Sequence, residues 1–453
     1  MILPENWFLS FGSMSQYATA GLGSPDFPRD WTSIENSPMA ISDTEVVIVG
    51  GGAAGIAAGR RLVKAAIDCL LVEARPRLGG RAWTITGAGG LALDLGCGWL
   101  HSADRNPWLR IAEEQGRAID RSPPPWQKPP LTAGFPREAQ QDFARALSAF
   151  FARLEAGAHG EPDVAADGFL EPGGRWNGLI DAIATYITGA NLARVSTRDF
   201  DNYADNQVNW RLPDGFGAAI AAHGEGLTVV LGCPVLQIDH GGRRLKIETP
   251  KGTITADQAI VTLPSALIAD KEFLFAPALP NKTEAARGLP LGLNDKLFLE
   301  LERAEEFEPD TRLFGHTDRA ATATYHFRPF GRPLIEVYFG GVYAAELEAE
   351  GDAAFFAAAL ADLERLLGSA FVRRVKPVRV HRWGADPFAR GSYSCALPGM
   401  VGCRAKLAEP VDERLFFAGE ACSIHDFSTA HGGFHSGIAA ADQVIAARRR
   451  KSS

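Results

Sequence analysis

A short β-branched run followed at once by glycines limits the fold of this chain more than any other feature. Val46-Val47-Ile48-Val49 reads as a fully buried parallel strand. Gly50-Gly51-Gly52-Ala53-Ala54-Gly55 turns out of it into a helical run, Ile56 to Ala66. A second apolar strand, Cys69-Leu70-Leu71-Val72, ends at Glu73 and completes a βαβ unit. In such a turn Gly50 permits the tight bend, Gly52 lets backbone approach a pyrophosphate, and Gly55 lets helix and strand pack closely. The helix N-terminus faces phosphates, and Glu73 is placed to accept from ribose hydroxyls. Strand, GxGxxG, helix and downstream acid together specify a dinucleotide site, but do not separate NAD from FAD.

The rest of the chain is organised around that unit. Phe143, Leu147, Phe150, Phe151 and Leu154 recur at helical spacing, and more helix is expected from Trp176 to Ile187, so 104–205 reads as a helical insertion. Strand character returns at Leu227–Leu231, Val235–Ile238, a hairpin around Pro250-Lys251-Gly252, and a separate buried strand Ala259–Thr262. Residues 296–340 alternate in strand fashion, Asp352 to Gly368 reads as a helix, Arg414–Ala418 as a strand, and Gly432–Arg448 as the closing helix.

Composition removes several function classes. The net charge of −8 argues against general nucleic-acid binding. The six cysteines form no CxxC pair, so neither a disulfide scaffold nor a metal site is expected. No apolar run is long enough to span a membrane. Residues 1–38 lack the basic and apolar regions of a signal peptide; they read as a disordered leader or as sequence upstream of a start at Met39. A cytoplasmic location follows by default, and the oligomeric state is not legible.

Two further motifs complete the pattern. Arg75-Pro76-Arg77-Leu78-Gly79-Gly80-Arg81 offers backbone and a guanidinium to a diphosphate, and Leu415-Phe416-Phe417-Ala418-Gly419-Glu420 is a strand ending in Gly-Glu. With the GxGxxG turn they stand in the order and at the distances found in the flavin-dependent amine oxidases, and the chain from about Val46 to Ala447 resembles that family. The family includes monoamine oxidases, polyamine oxidases and lysine-specific histone demethylases. The match is nearest to the polyamine (spermine) oxidases.

The resemblance implies an α/β fold: a Rossmann-like FAD-binding domain (42–104, 206–290 and 404–448) interleaved with an α+β substrate-binding domain (105–205 and 291–403), after a leader over 1–41. It implies that Gly50, Gly52, Gly55 and Arg81 hold the FAD pyrophosphate, Glu73 the adenosine ribose and the Val235 backbone the adenine, with Glu420 near the ribityl chain and pyrophosphate and Ala54, Ala74 and Gly80 as further cofactor contacts. Gly96, Cys97, Gly98, Trp99, Trp383, Gly419, Glu420, Thr429 and Ala430 would complete the cofactor site. Ser392 stands where monoamine oxidases carry the cysteine that bonds FAD, and Cys395 does not align with it, so the FAD is expected to be non-covalent. Lys296, in Asn294-Asp295-Lys296-Leu297-Phe298-Leu299, matches the family lysine under the flavin.

The run Arg382-Trp383-Gly384-Ala385-Asp386-Pro387-Phe388-Ala389-Arg390-Gly391-Ser392-Tyr393-Ser394 is similar to that of histone demethylases and spermine oxidases. Tyr393 matches one wall of the aromatic cage, with Trp383 and Phe388 behind it. Thr429 stands where monoamine oxidases have the second tyrosine, which implies a half-open cage suited to a longer or bulkier amine. His101 falls where animal spermine oxidases have histidine, and would hydrogen-bond a substrate nitrogen.

The implied reaction is oxidation of a neutral amine by hydride transfer to flavin N5. The imine is hydrolysed to an aldehyde or ketone, and O2 reoxidises the flavin to give H2O2. Polyamines or other extended amines are favoured. The competing readings are an L-amino-acid oxidase (with Arg211 or Arg328 for the carboxylate), a C–C desaturase of the same fold, and a non-catalytic flavin-binding protein. Asp201, Asp205 and Glu336 are candidate substrate acids by location alone, and are expected to be solvated.

Overall fold

The computed structural model describes residues 42–270 and 273–452; the expected leader lies outside the described residues. The βαβ unit forms as strand Asp43–Val49, helix Ala53–Lys64 and strand Cys69–Val72. These two strands pair in parallel, and Asp43–Val49 pairs in parallel on its other side with Gly252–Val261. The full sheet has eight strands. Val229–Val230 lies at one edge, Leu245–Thr249, Gln237–Asp239 and Phe275–Ala276 continue the other way, and Leu415–Phe417 also pairs with Gly252–Val261.

One expectation is corrected here. The hairpin return and the buried strand at 259–262 are not separate elements but a single ten-residue strand, Gly252–Val261. Its first half pairs antiparallel with Leu245–Thr249, and its second half pairs in parallel with Asp43–Val49 and Leu415–Phe417. Alternation in the first half and continuous burial in the second are what those two settings require. Helices Ala53–Lys64 and Ala430–Ser452 cover one face of the sheet, where Val46, Ile48, Ala58, Leu62, Ala441 and Val444 form a core.

A second, five-stranded antiparallel sheet runs in the order Thr311–Phe314, Ala323–Phe327, Leu334–Gly340, Asn294–Leu301, Val375–His381. Alternation gives its strands two different faces. Leu297, Leu299, Leu313, Tyr325, Val337 and Phe339 are buried in a core with helix Asp352–Leu367. On the other face the register sets Lys296 beside Tyr338, Tyr338 beside Thr324, and Thr324 beside Phe314. One step along, Glu336 stands beside His326, and His326 beside Arg312. This second face looks into the cavity described below. The insertion supplies helices Arg137–Gly157, Asn177–Thr188 and Thr197–Asn202, packed over Phe314 through Phe135, Phe143, Trp176 and Leu179. Among the described residues no helix is long and apolar enough to cross a membrane.

Candidate active site

A cavity of about 860 Å³ lies between the two sheets. Of the residues expected to serve cofactor or substrate, Gly50, Gly52, Ala54, Glu73, Ala74, Gly80, Arg81, Gly96, Cys97, Gly98, Trp99, His101, Val235, Lys296, Trp383, Tyr393, Gly419, Glu420, Thr429 and Ala430 all line it. Gly55 lies behind the lining. A Cβ there would sit 1.9 Å from the Gly50 carbonyl oxygen, so only glycine lets the helix start against the strand. Gly50 itself has φ of 109°, the left-handed region that favours glycine.

The glycine turn is shaped for a diphosphate. A Cβ on Gly52 would meet only Gly80 Cα, at 4.0 Å, so the approach to the helix is open. Gly52 caps helix Ala53–Lys64 without a side-chain hydrogen bond, and the first turn holds no acid. The helix therefore presents its unpaired N–H groups and positive dipole end to the cavity. Glu73 accepts from Gly51 N at 2.6 Å and Arg75 N at 2.8 Å, which pins the turn to the strand end. Cys233 N donates to the Glu73 carbonyl, which brings the Val235 segment alongside. Arg81 and Glu420, 339 residues apart, meet at 3.0 Å. Glu420 also accepts from Ser394 Oγ at 2.6 Å and Ser428 N at 2.9 Å. Burial pushes the Glu420 carboxyl up, but Arg81 and these donors outweigh it and hold it below its ordinary value. These residues fit a dinucleotide cofactor.

Asp386, from the Trp383–Ser394 stretch, gives that motif a physical reason. It pairs with Arg75 at 2.6 Å and accepts from Phe388 N at 2.8 Å, locking the loop after Glu73 onto the cage segment. Trp383 donates its indole N–H to the Leu95 carbonyl at 3.1 Å, so it acts on the cavity through its ring surface. Tyr393 donates to the Tyr186 carbonyl at 2.7 Å and accepts from Asn294 Nδ2 at 2.7 Å. Burial raises its phenol well above the ordinary range, so the ring is neutral and fixed. Ser392 Oγ bonds the Asn294 backbone at both N and O, and Cys395 does not line the cavity.

Thr429 Oγ1 donates to the Asp426 carbonyl at 2.6 Å and accepts from Gly432 N at 3.0 Å. It is the N-cap of the closing helix as well as a cavity residue. We expect Thr429→Ala to lose about 1 kcal/mol of stability in a denaturant titration, the usual worth of such a cap.

Lys296 is buried, not solvated. Its Nζ donates to Glu336 Oε1 at 2.9 Å and to the Asp94 carbonyl at 3.1 Å, which leaves one of its three protons for the cavity. Burial alone would push the lysine down, but Glu336 reverses this and holds it above its ordinary value. Burial would likewise raise Glu336, yet Lys296 and His326 hold it well below the usual carboxylate range. The expectation of a solvated Glu336 is thus wrong. Asp201 and Asp205 line the cavity, half-buried, so they too are not free surface acids. Behind Glu336 a buried chain runs to His326 at 3.6 Å, to Asp310 at 2.8 Å, and on to Arg211 at 2.9 Å.

His101 Nδ1 lies 2.7 Å from Asn209 Oδ1 and 3.9 Å from Asp205. Burial lowers its pKa, against the smaller opposing pull of Asp205. Neither arginine considered for a carboxylate is free for one. Arg211 is paired with Asp120 and Asp310, Arg328 donates to the carbonyls of Phe307 and Gly331, and neither lines the cavity. The sequence reading missed Asn294, Tyr186, Tyr338 and Arg312, all cavity residues. Period-two alternation in Leu334–Gly340 and Thr311–Phe314 held the signal for Tyr338 and Arg312. Among the described residues no group of three or more His, Cys, Asp or Glu is arranged to hold a metal.

Comparison with known proteins settles the family. The model of the flavin-containing amine oxidoreductases matches residues 53–445. The chain belongs to this family. It is therefore a flavoprotein that uses FAD and oxidises amines. It is 26% identical to polyamine oxidase 4 of rice, Oryza sativa subsp. japonica, over 89% of this chain and 88% of the rice protein. It is 25% identical to human lysine-specific histone demethylase 2 over 90% of this chain, and spans only 54% of that protein. Among solved structures, a double mutant of putrescine oxidase from a redesign of cofactor binding superposes with a TM-score of 0.72 at 19% identity. That likeness, which covers 89% of this chain and 99% of the other, confirms the fold.

Proposed function

We propose that this amine oxidoreductase acts on an extended amine whose reacting end lies by Lys296 and Tyr393, and that O2 is its electron acceptor. The observation that carries this is the meeting of the diphosphate-shaped glycine turn, Lys296 and Tyr393 on one cavity between the sheets. The polyamine oxidase relatives support a long substrate, as does threonine rather than tyrosine at position 429. Bound FAD supplies the two-electron acceptor for a hydride from the carbon next to nitrogen.

The chain's own residues do the rest. Tyr393, fixed by Asn294 and the Tyr186 carbonyl, presents a ring face whose negative quadrupole orients the amine nitrogen. His101, neutral at pH 7, accepts from or donates to a substrate nitrogen. Lys296 offers its third proton as negative charge develops at the cofactor. Water then adds across the C=N bond to release carbonyl product and amine. Dioxygen takes the two electrons and two protons to become peroxide. Ser392 at the cage segment supports non-covalent FAD, and six cysteines without a disulfide support a reducing, cytoplasmic setting.

One peroxide per carbonyl product is expected under air. Reduced enzyme that persists in air and is reoxidised only by a dye or quinone would overturn O2 as acceptor. The pH profile adds a second check. Substrate amines must lose their proton, so kcat/KM should rise between about pH 6.5 and 9. His101 has a lowered pKa and is already neutral there, so it should add no inflection in that span. An inflection that vanishes in His101→Gln would contradict this assignment.

A further inference from the structure

The cavity holds a cation that the amine-oxidising chemistry does not use. Arg312 lies on the cavity face of strand Thr311–Phe314. Its Nε is buried without a hydrogen-bond partner, and its guanidinium stacks only on Phe314, 4.7 Å from the ring centroid. Among the described residues no acid pairs with it. Its register neighbour is His326, which is taken by Asp310 at 2.8 Å. Of the acids that line the cavity, Glu73 is taken by the Gly51 and Arg75 N–H groups, Glu420 by Arg81, and Asp205 faces His101. Asp201 and Glu155 line it as well, and neither pairs with Arg312. An uncompensated guanidinium in such a place is costly unless a ligand pairs with it. Burial also holds its pKa down to about 10, still cationic at neutral pH.

Position fixes how such a ligand must be built. Three strand intervals across the sheet and two residues along it separate Arg312 from Lys296, roughly 16 Å between their backbones at the usual spacings. An α-amino acid carries its carboxylate on the very carbon that is oxidised, and cannot reach both ends. A polyamine reaches, but sets an ammonium against Arg312. We infer that the substrate is an extended amine with an anionic group, a carboxylate or phosphate, at its distal end, held by Arg312. This rests on the amine-oxidase reading and names the class of substrate for that site. The anion forms a charge-assisted, bidentate pair with the guanidinium, while Asp201 and Asp205 favour the approach of the amine.

Three probes of one length test it with the holoenzyme: octylamine, the octane diamine with terminal amines, and ω-aminooctanoate. The kcat/KM for ω-aminooctanoate should exceed that for the diamine by about tenfold or more, as a charge-assisted bond allows. In Arg312→Met that ratio should fall to near one, and Arg312→Lys should recover part of it. Flavin content reports whether each variant is folded. Sodium octanoate, which cannot be oxidised, should quench the fluorescence of the cavity tryptophans Trp99 and Trp126 in wild type, and do so at least tenfold more weakly in Arg312→Met. A preference for the diamine, unchanged in Arg312→Met, would overturn the anionic end while leaving amine oxidation standing. Failure of all three amines to reduce the flavin, with octanoate still bound through Arg312, would instead count against the amine-oxidation reading of this site.

Discussion

Lys296→Met is expected to lose about a hundred- to a thousandfold in flavin reduction, the usual effect of removing one preorganised donor from a closed site. The same change strands Glu336. That buried carboxylate now draws on Lys296 at 2.9 Å and on His326 at 3.6 Å. Breaking a buried pair from one side costs about 3–5 kcal/mol, because the remaining charge stays desolvated. A double variant, Lys296→Met with Glu336→Leu, removes both charges. It should recover much of that stability and none of the activity. The two readouts therefore separate: melting reports the pair, and single-turnover flavin reduction reports the lysine. The acid limb has a definite sign. Glu336 has a folded pKa below its unfolded value, so the stability it contributes is full above about pH 4.3 and is lost as pH falls through the lower folded value. Wild type and Glu336→Gln should thus converge in stability in acid. A Lys296→Met enzyme with unimpaired reduction would remove the lysine from the mechanism.

Asp199→Asn should be the most damaging single change away from the reacting centre. Arg404 meets Asp199 at 2.6 and 2.8 Å in a two-bond pair, with both side chains 1% exposed. Asp199 also accepts from Ala396 N, and Arg404 donates to Ser394 Oγ, which donates to Glu420, which pairs with Arg81. One buried chain thus joins the short insertion helix Thr197–Asn202 to the diphosphate end of the cavity. Asparagine keeps the shape but leaves the guanidinium without its charge partner. A loss of about 3–5 kcal/mol follows, again from an orphaned buried charge. Weakened flavin retention should follow as well, because Glu420 and Arg81 lose their anchor. Thermal melting and the ratio of visible to protein absorbance check the two effects. Full flavin content with unchanged melting would show the chain to be incidental.

The parts of the site that were legible in the sequence share a property: their signals are local. The glycine turn announces itself because only glycine avoids the 1.9 Å clash at position 55 and adopts the φ of position 50. The Trp383–Ser394 and Phe416–Glu420 runs are likewise continuous, so their resemblance could be read without knowing what they touch. What stayed hidden depends on register. Glu336 looks like a surface acid until strand pairing sets it beside His326 and two residues from Tyr338, the residue that stands across from Lys296. Arg312 was passed over for Arg211 and Arg328, since nothing in the chain itself shows which arginines are already paired. Strand Val375–His381 was not foreseen. It is an edge strand with Pro377 and exposed Lys376, where polar residues are tolerated, and its pairing with Asn294–Leu301 is broken by a register shift.

Everything proposed for this cavity requires that an amine deliver electrons to a cofactor bound in it. The decisive measurement is the visible spectrum of the purified protein, recorded without oxygen before and after adding octylamine, ω-aminooctanoate, spermidine and an L-amino acid at pH 8. A bound flavin that bleaches with an extended amine, and not with the α-amino acid, is the predicted result. A flavin that none of the amines reduces, or a protein that neither carries nor takes up flavin, would contradict it.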